Sequence, residues 1–113
     1  MCTKNDVNTI VHKIAQTYKD IYSDSLVEVL LYGSHARGDY NEDSDIDLVA
    51  IVHGNRLELQ KKLDLVWDVS SELELKYEII ISPTVIPHDE FKKYQKVLPY
   101  YRNISKEGVK ISA

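Results

Sequence analysis

Apolar residues recur at helical spacing at the start of the chain and then give way to short apolar runs. The first set lies three or four residues apart and predicts an amphipathic helix that Asn5 or Asp6 can cap: Val7, Ile10, Val11, Ile14, Tyr18 and Ile21. The polar segment 23–25 interrupts that pattern. Residues 27–32 and 46–52 are short, β-branched and apolar, which predicts two strands joined by a polar turn and loop.

The second half of the chain predicts a long helix followed by a third strand. Asn55 can cap a helix through about Leu75, with one apolar face formed by Leu59, Leu63, Val66, Trp67 and Leu73. Residues 77–81 predict a strand that Ser82-Pro83 stops, and Pro87 and Pro99 each suit the first turn of a short helix. This order predicts an α/β (α+β) fold, with a small mixed or antiparallel sheet and helices packed on one face. We expect a single domain over residues 1–113.

Composition and charge narrow the class of protein. The chain has 43% hydrophobic and 28% charged residues, as in globular domains, and its net charge of -4 argues against autonomous nucleic-acid binding. From Phe91 onward six residues are basic and one is acidic, which favours a solvated helix face over a docking surface for an acidic partner. A single cysteine, no apolar signal core and no apolar run of membrane-spanning length predict a cytoplasmic protein without a membrane segment.

Two carboxylates open the second predicted strand. Asp45 and Asp47 alternate with Ile46 and Leu48, so both aspartates point to one side of the strand. Neighbouring carboxylates at the edge of an apolar strand repel each other, and divalent cations with a preference for oxygen ligands, Mg²⁺ or Mn²⁺, would relieve that repulsion. When the pair is taken alone, an acidic strand edge that discourages aggregation explains it better than a metal site does.

The turn before this strand favours a phosphate-binding site. Gly33 allows close backbone approach, Ser34 offers a hydroxyl and an N–H, and Arg37 offers a guanidinium for phosphate oxygens. The turn is not a Walker A loop, because Asp39 and Tyr40 follow Gly38 where Lys and Ser or Thr are needed. The acidic loop after it is not an EF-hand, because Ser44 and Ala50 occupy the glycine and glutamate positions.

Gly33-Ser34, ten further residues and Asp45-x-Asp47 together resemble the signature of the DNA polymerase β-like nucleotidyltransferase superfamily. The text from Leu31 to Val49 is most similar to that of its minimal prokaryotic members, the minimal nucleotidyltransferases (MNT). The motif is long and constrained in spacing, and the order of elements extends the resemblance to about Ile81.

The resemblance implies roles for these residues. Gly33 and Ser34 would hold the triphosphate of ATP, Arg37 would lie near the phosphates, and Asp45 and Asp47 would bind Mg²⁺ or Mn²⁺ and serve catalysis. The family also has a further carboxylate on a later strand, commonly Asp, and the candidate here is Glu78, as metal ligand and catalytic base. The other explanation for Glu78 is a cross-strand pair with a lysine such as Lys76.

The resemblance also implies a function. Minimal members are often paired with HEPN-domain proteins, which implies transfer of AMP from ATP to a hydroxyl of a HEPN toxin by its antitoxin. The alternative is a catalytically weak or inactive nucleotide-binding module that neutralises its partner by forming a complex. The sequence leaves a homo-oligomer open.

The remaining candidates have simpler interpretations. His35 can contact phosphate or the nucleobase, or it can face solvent, and His12, His53 and His88 show no zinc-ligand spacing. Trp67 and Leu63 are expected in the core rather than against a nucleotide, and Tyr100 and Tyr101 are expected to pack in the core rather than to form a contact patch.

Overall fold

A computed structural model describes residues 3–41 and 44–111. The helices are α1 (Lys4–Tyr22), α2 (Ser34–Arg37), α3 (Arg56–Tyr77), α4 (His88–Tyr94) and α5 (Pro99–Glu107). The strands are β1 (Leu26–Tyr32), β2 (Ile46–Val52), β3 (Ile81–Pro87) and β4 (Val109–Ile111). Among the described residues, no helix is long and apolar enough to cross a membrane.

The four strands form one mixed sheet in the order β3-β2-β1-β4. The β1 strand runs antiparallel to both β2 and β4, whereas β2 and β3 are parallel because α3 carries the chain back across the sheet. The predicted mixed sheet is therefore confirmed. The sequence analysis did not anticipate β4, whose three residues carry too little pattern to predict a strand.

The larger core lies between the sheet and the two long helices. It includes Ile10, Ile14 and Tyr18 of α1 and Val66 of α3, all at or near 0% exposure, which confirms the apolar face predicted for α1. The α1 helix begins one turn earlier than expected, because the Thr3 side chain accepts a hydrogen bond from the Asp6 N–H and the Asp6 carboxylate accepts one from the Thr3 N–H.

A smaller core lies on the opposite face of the sheet. The buried residues are Leu30, Val49, Ile51, Ile86, Phe91 and Ile104, of which Phe91 belongs to α4 and Ile104 to α5. The two long helices occupy one face, but α4 and α5 cover part of the other, so the prediction that the helices pack on one face holds only for α1 and α3. This second layer matters because the odd-numbered residues of β2, including Asp47, face it.

Two predicted positions are corrected by the packing of α3. Trp67 is 43% exposed and lies outside both cores, because Val66 and Ser70 occupy the buried side of the helix there. The helix also continues to Tyr77, so the strand predicted over 77–81 is wrong and β3 instead runs from Ile81 to Pro87.

Candidate active site

The N-terminal end of β2 carries both aspartates of the predicted motif. Asp45 is exposed and stands immediately before the strand, and Asp47 is half-buried inside it. Ile46 and Leu48, which alternate with them, are fully buried in the larger core. The alternation therefore anchors the strand through its apolar residues and turns Asp47 toward the other face of the sheet.

Burial raises the pKa of the Asp47 carboxyl above its ordinary value, and the nearby Asp45 charge raises it further. His35 acts in the opposite direction and lowers it. A carboxylate that is partly desolvated beside a second carboxylate is stabilised by a cation. Oxygen donors of this kind suit Mg²⁺ or Mn²⁺, so Asp45 and Asp47 fit the predicted metal.

Gly33 brings the turn after β1 against this carboxylate. Its φ of +80° lies in the region that favours glycine, and a Cβ atom there would stand 2.7 Å from Oδ2 of Asp47. The close approach follows from the antiparallel register, in which Tyr32, the residue before Gly33, pairs with Asp47. The structure therefore brings the Gly33-Ser34 turn and the Asp47 carboxylate together, although twelve residues lie between Ser34 and Asp47 in the sequence.

Tyr32 and Ser82 flank Asp47 on the same face of the sheet. Tyr32 is its partner on β1, and Ser82 is its partner on the parallel strand β3. A further ligand for the same cation would need to lie on this face, and the nearest position on β3 carries a hydroxyl instead of a carboxylate. Ser82 was not predicted as a site residue, because the apolar pattern ends the third strand at Ile81, one residue before it.

Tyr100 of α5 lines the same side of the sheet. Its ring meets that of Tyr32 edge to face with the centroids 5.9 Å apart, and its side chain hydrogen-bonds that of Thr84. Burial raises the pKa of the Tyr100 hydroxyl, and Tyr32 and Asp47 raise it further. Tyr100 is nevertheless 45% exposed, so the expectation that it packs in the core is wrong. It lies beside the site instead.

His35 joins the turn to the start of β2. Its Nε2 lies 3.2 Å from the Ser44 carbonyl oxygen, and its ring stacks on Tyr40 at a centroid distance of 4.6 Å. These contacts hold His35 half-buried within electrostatic reach of Asp47. His35 therefore does not simply face solvent, because its ring contacts Ser44 and Tyr40.

Arg37 ends the short helix α2 and is engaged by two carboxylates. Its Nε lies 3.2 Å from Oδ2 of Asp39, and a terminal nitrogen lies 3.6 Å from Oε2 of Glu107. The hydrogen bond with Asp39 is the main reason why the pKa of the guanidinium is raised. Contact between Arg37 and phosphate stays a prediction, and it would require exchange of at least one of these exposed ion pairs.

Glu78 does not lie on a strand. It is the residue that ends α3, with a φ of 55°, and its N–H donates to the Glu74 carbonyl. Its side chain borders a surface groove formed largely by the last turn of α3, whose lining also includes Ser71 and Ile80. The prediction of a strand position for Glu78 is corrected, because the helix continues two residues further than its apolar pattern indicated.

The comparisons with known proteins agree with this fold. The family model described as Nucleotidyltransferase domain matches residues 11–111. A protein of Methanocaldococcus jannaschii named as a putative protein adenylyltransferase is 34% identical over 80 residues, which cover 71% of this chain and 79% of the relative. A second such protein of the same organism is 31% identical over 98 residues, which cover 87% of this chain and 90% of the relative.

Solved structures show the same fold at lower identity. A structure from Sulfolobus solfataricus named as a putative nucleotidyltransferase aligns with a TM-score of 0.53 and 22% identity, covering 94% of this chain and 83% of that one. A toxin–antitoxin structure with AMP-PNP aligns with a TM-score of 0.55 and 13% identity, covering 91% and 70%. The family match over most of the chain confirms the resemblance inferred from the motif. The chain belongs to the nucleotidyltransferase domain family and is a minimal nucleotidyltransferase.

Proposed function

We propose that this nucleotidyltransferase transfers AMP from ATP to a hydroxyl group of a partner protein. The observation that carries the proposal is the approach of the Gly33 backbone to the Asp47 carboxylate. That contact puts a turn suited to phosphate beside a carboxylate pair suited to Mg²⁺, as one site.

Each residue of the site has a role in this reaction. Gly33 and Ser34 bind the triphosphate through the backbone and the hydroxyl, and Arg37 contacts phosphate oxygens once it leaves Asp39 or Glu107. Asp45 and Asp47 hold Mg²⁺, which when bound supplies positive charge to the phosphate oxygens. A carboxylate oxygen of Asp47 accepts the proton of the attacking hydroxyl. Glu78 has no role in this scheme, because it caps α3 outside the sheet.

The partner is proposed from the relatives. The two Methanocaldococcus jannaschii proteins are named for adenylyl transfer to protein, and the toxin–antitoxin neighbours share this fold. We therefore infer that the acceptor is a HEPN-type toxin, modified on a tyrosine, and that this chain is its antitoxin in the cytoplasm.

Labelled ATP provides the direct test. The purified protein, Mg²⁺ and the product of the neighbouring gene should yield a labelled partner and pyrophosphate. The variants Asp45→Asn and Asp47→Asn should each lose the label, whereas Asp68→Asn on the exposed side of α3 should retain it. If the unmodified protein transfers no label to any partner with which it forms a complex, the proposal is wrong.

Ser82 favours a second candidate, a weak or inactive module that neutralises its partner by binding. The position beside Asp47 on β3 lacks the carboxylate that a third metal ligand would supply. The double variant Asp45→Ala, Asp47→Ala separates the two functions, because neutralisation that survives loss of ATP binding requires no transfer. Ser82→Asp adds a carboxylate at the paired position, and a large gain of transfer activity would show that the native site is limited there.

A further inference from the structure

We propose that His53, His88 and Asp89 form a binding site for a transition-metal ion, with Zn²⁺ as its best fit. The site is independent of the proposed function and of the Asp45–Asp47 pair. It lies at the opposite end of β2, six residue steps away, which is about 20 Å along an extended strand.

The parallel pairing of β2 and β3 brings the two histidines together. Val52 and Pro87 are the last paired residues of the two strands, so His53 and His88 leave the sheet side by side. The His53 N–H donates to the Ser25 carbonyl oxygen at 2.8 Å, and His88 is the first residue of α4, so both backbones are fixed. The imidazole centroids are 4.3 Å apart, with an angle of 51° between the ring planes.

Asp89 adds an oxygen donor to this pair. One nitrogen or oxygen from each of the three side chains lies within 4.8 Å of the others. A tetrahedral Zn²⁺ with bonds of about 2.0–2.1 Å separates its ligands by about 3.3 Å, so small side-chain rotations close the site. The Asp89 side chain is fully exposed and free to make that rotation, and the fourth position is open to water.

The donor types select the metal. Two imidazoles and one carboxylate suit Zn²⁺, Co²⁺ or Ni²⁺, whereas Mg²⁺ prefers oxygen ligands. A hydrogen bond between His88 Nδ1 and Asp89 Oδ1 at 3.3 Å accounts for two of the three residues. That hydrogen bond does not involve His53, whose ring lies tilted against the ring of His88, whereas a shared metal ion engages all three residues. The bound ion would tie the end of β2 to the start of α4.

Calorimetric titration of the metal-free, untagged protein with Zn²⁺ alone tests the site. We expect one ion per chain, and His53→Ala or His88→Ala should each weaken binding by at least about tenfold. His12→Ala removes an exposed histidine of α1 that lies outside the cluster and should leave the affinity unchanged. Asp45→Asn with Asp47→Asn should also leave it unchanged, and Mg²⁺ in excess should not displace Zn²⁺.

Imidazole ¹H–¹⁵N spectra identify the ligands directly. Addition of Zn²⁺ should shift the ring nitrogens of His53 and His88 and leave those of His12 and His35 in place. Binding that persists in both His53→Ala and His88→Ala, or no binding to the unmodified protein, overturns the proposal. Thermal unfolding adds a third readout, since an ion that binds only the folded chain raises Tm in the unmodified protein and not in His88→Ala.

Discussion

At the level of single residues, the site depends on how closely the Gly33 backbone approaches Asp47. The structure contains a matched pair of glycines on either side of α2, because Gly33 and Gly38 have φ values of +80° and +86°. A Cβ atom at Gly33 would meet Oδ2 of Asp47 at 2.7 Å, whereas one at Gly38 would meet nothing within 4 Å. Alanine therefore strains the backbone at both positions but displaces the carboxylate at only one.

Gly33→Ala should reduce AMP transfer by about a hundredfold, the order of loss expected for a misplacement of about 1 Å in an active site. Gly38→Ala should lose about as much stability as Gly33→Ala, on the order of 1–3 kcal/mol, because both place alanine at a positive φ. Its loss of AMP transfer should be much smaller than that of Gly33→Ala. Transfer rates and urea unfolding of the two variants provide the comparison. Equal activities in the two variants would show that the contact with Asp47 is irrelevant.

Asp47 links the site to stability through its raised pKa. In the metal-free fold the carboxyl binds its proton more tightly than in the unfolded chain, so stability falls as pH rises through the raised pKa. Asp47→Asn removes that charge and should therefore stabilise the metal-free protein at pH 7. Circular dichroism melts with EDTA should show this gain at pH 7 and its loss below the ordinary aspartate value of 3.8.

The same variant should lose Mg²⁺-dependent ATP binding and AMP transfer, since its amide lacks the charge that holds the cation. Asp68→Asn controls for the change of charge on the surface. An Asp47→Asn protein that is less stable than the unmodified one at pH 7 would contradict the account of Asp47 as a desolvated carboxylate beside Asp45.

At the level of elements, the end of α3 determines which residue of β3 lies beside Asp47. Glu78 adopts a φ of 55°, a conformation that glycine takes without strain, and it closes the helix by donating its N–H to Glu74. The Glu74 carboxylate then accepts a hydrogen bond from the Ile81 N–H at 2.9 Å, and the Ile80 carbonyl accepts one from the Ile46 N–H. These bonds fix the first residue of β3 at Ile81 and set Ser82 beside Asp47.

Glu78→Gly distinguishes a helix cap from a catalytic base. If Glu78 acts only as a cap, Glu78→Gly should be more stable by roughly 1–2 kcal/mol than Glu78→Ala, which also lacks the carboxylate but keeps the backbone strain. Both variants should retain AMP transfer. Urea unfolding and the transfer assay measure the two effects, and loss of transfer in both variants would restore Glu78 to the catalytic set.

At the level of the whole molecule, the two faces of the sheet differ, because only one of them carries the candidate site. The larger core holds α1 and α3 against the sheet, and the smaller one holds α4 and α5 on the face that Asp47 shares. Tyr101 packs against the smaller core, and Tyr100 beside it reaches Tyr32. The packing of the smaller core should therefore determine the position of Tyr100 beside the site.

Ile104→Ala and Val66→Ala test this division, because both side chains are fully buried, one in each core. Ile104→Ala should cost about 2–5 kcal/mol and also weaken ATP binding, since α5 carries Tyr100. Val66→Ala should lower stability while ATP affinity of the folded protein stays unchanged. Denaturant unfolding and nucleotide titration below the melting temperature give both quantities, and equal losses of affinity would refute the separation.

Much of the fold followed from local pattern. The predicted bounds of β2 and the Asn55 cap of α3 match the structure, because β-branched alternation and side-chain capping are local effects. The positions predicted for Trp67 in the core and for Glu78 on a strand were wrong for a shared reason. An apolar residue count does not fix the angle at which a helix meets the sheet, nor the residue at which it ends.

The sequence by itself determined the chemistry of the site: a glycine-serine turn, an aspartate pair at a set distance, and the family to which they belong. These are constraints on residue type and spacing along one strand and its preceding turn, which the chain carries locally. Only the tertiary structure decided which residues lie beside the turn and the aspartates. On β3 that residue is Ser82 and not the predicted Glu78, and Tyr100 of α5 lies on the same face of the sheet. It also brought His53 and His88 together, since pairing of distant strands depends on register and packing rather than on spacing in the sequence.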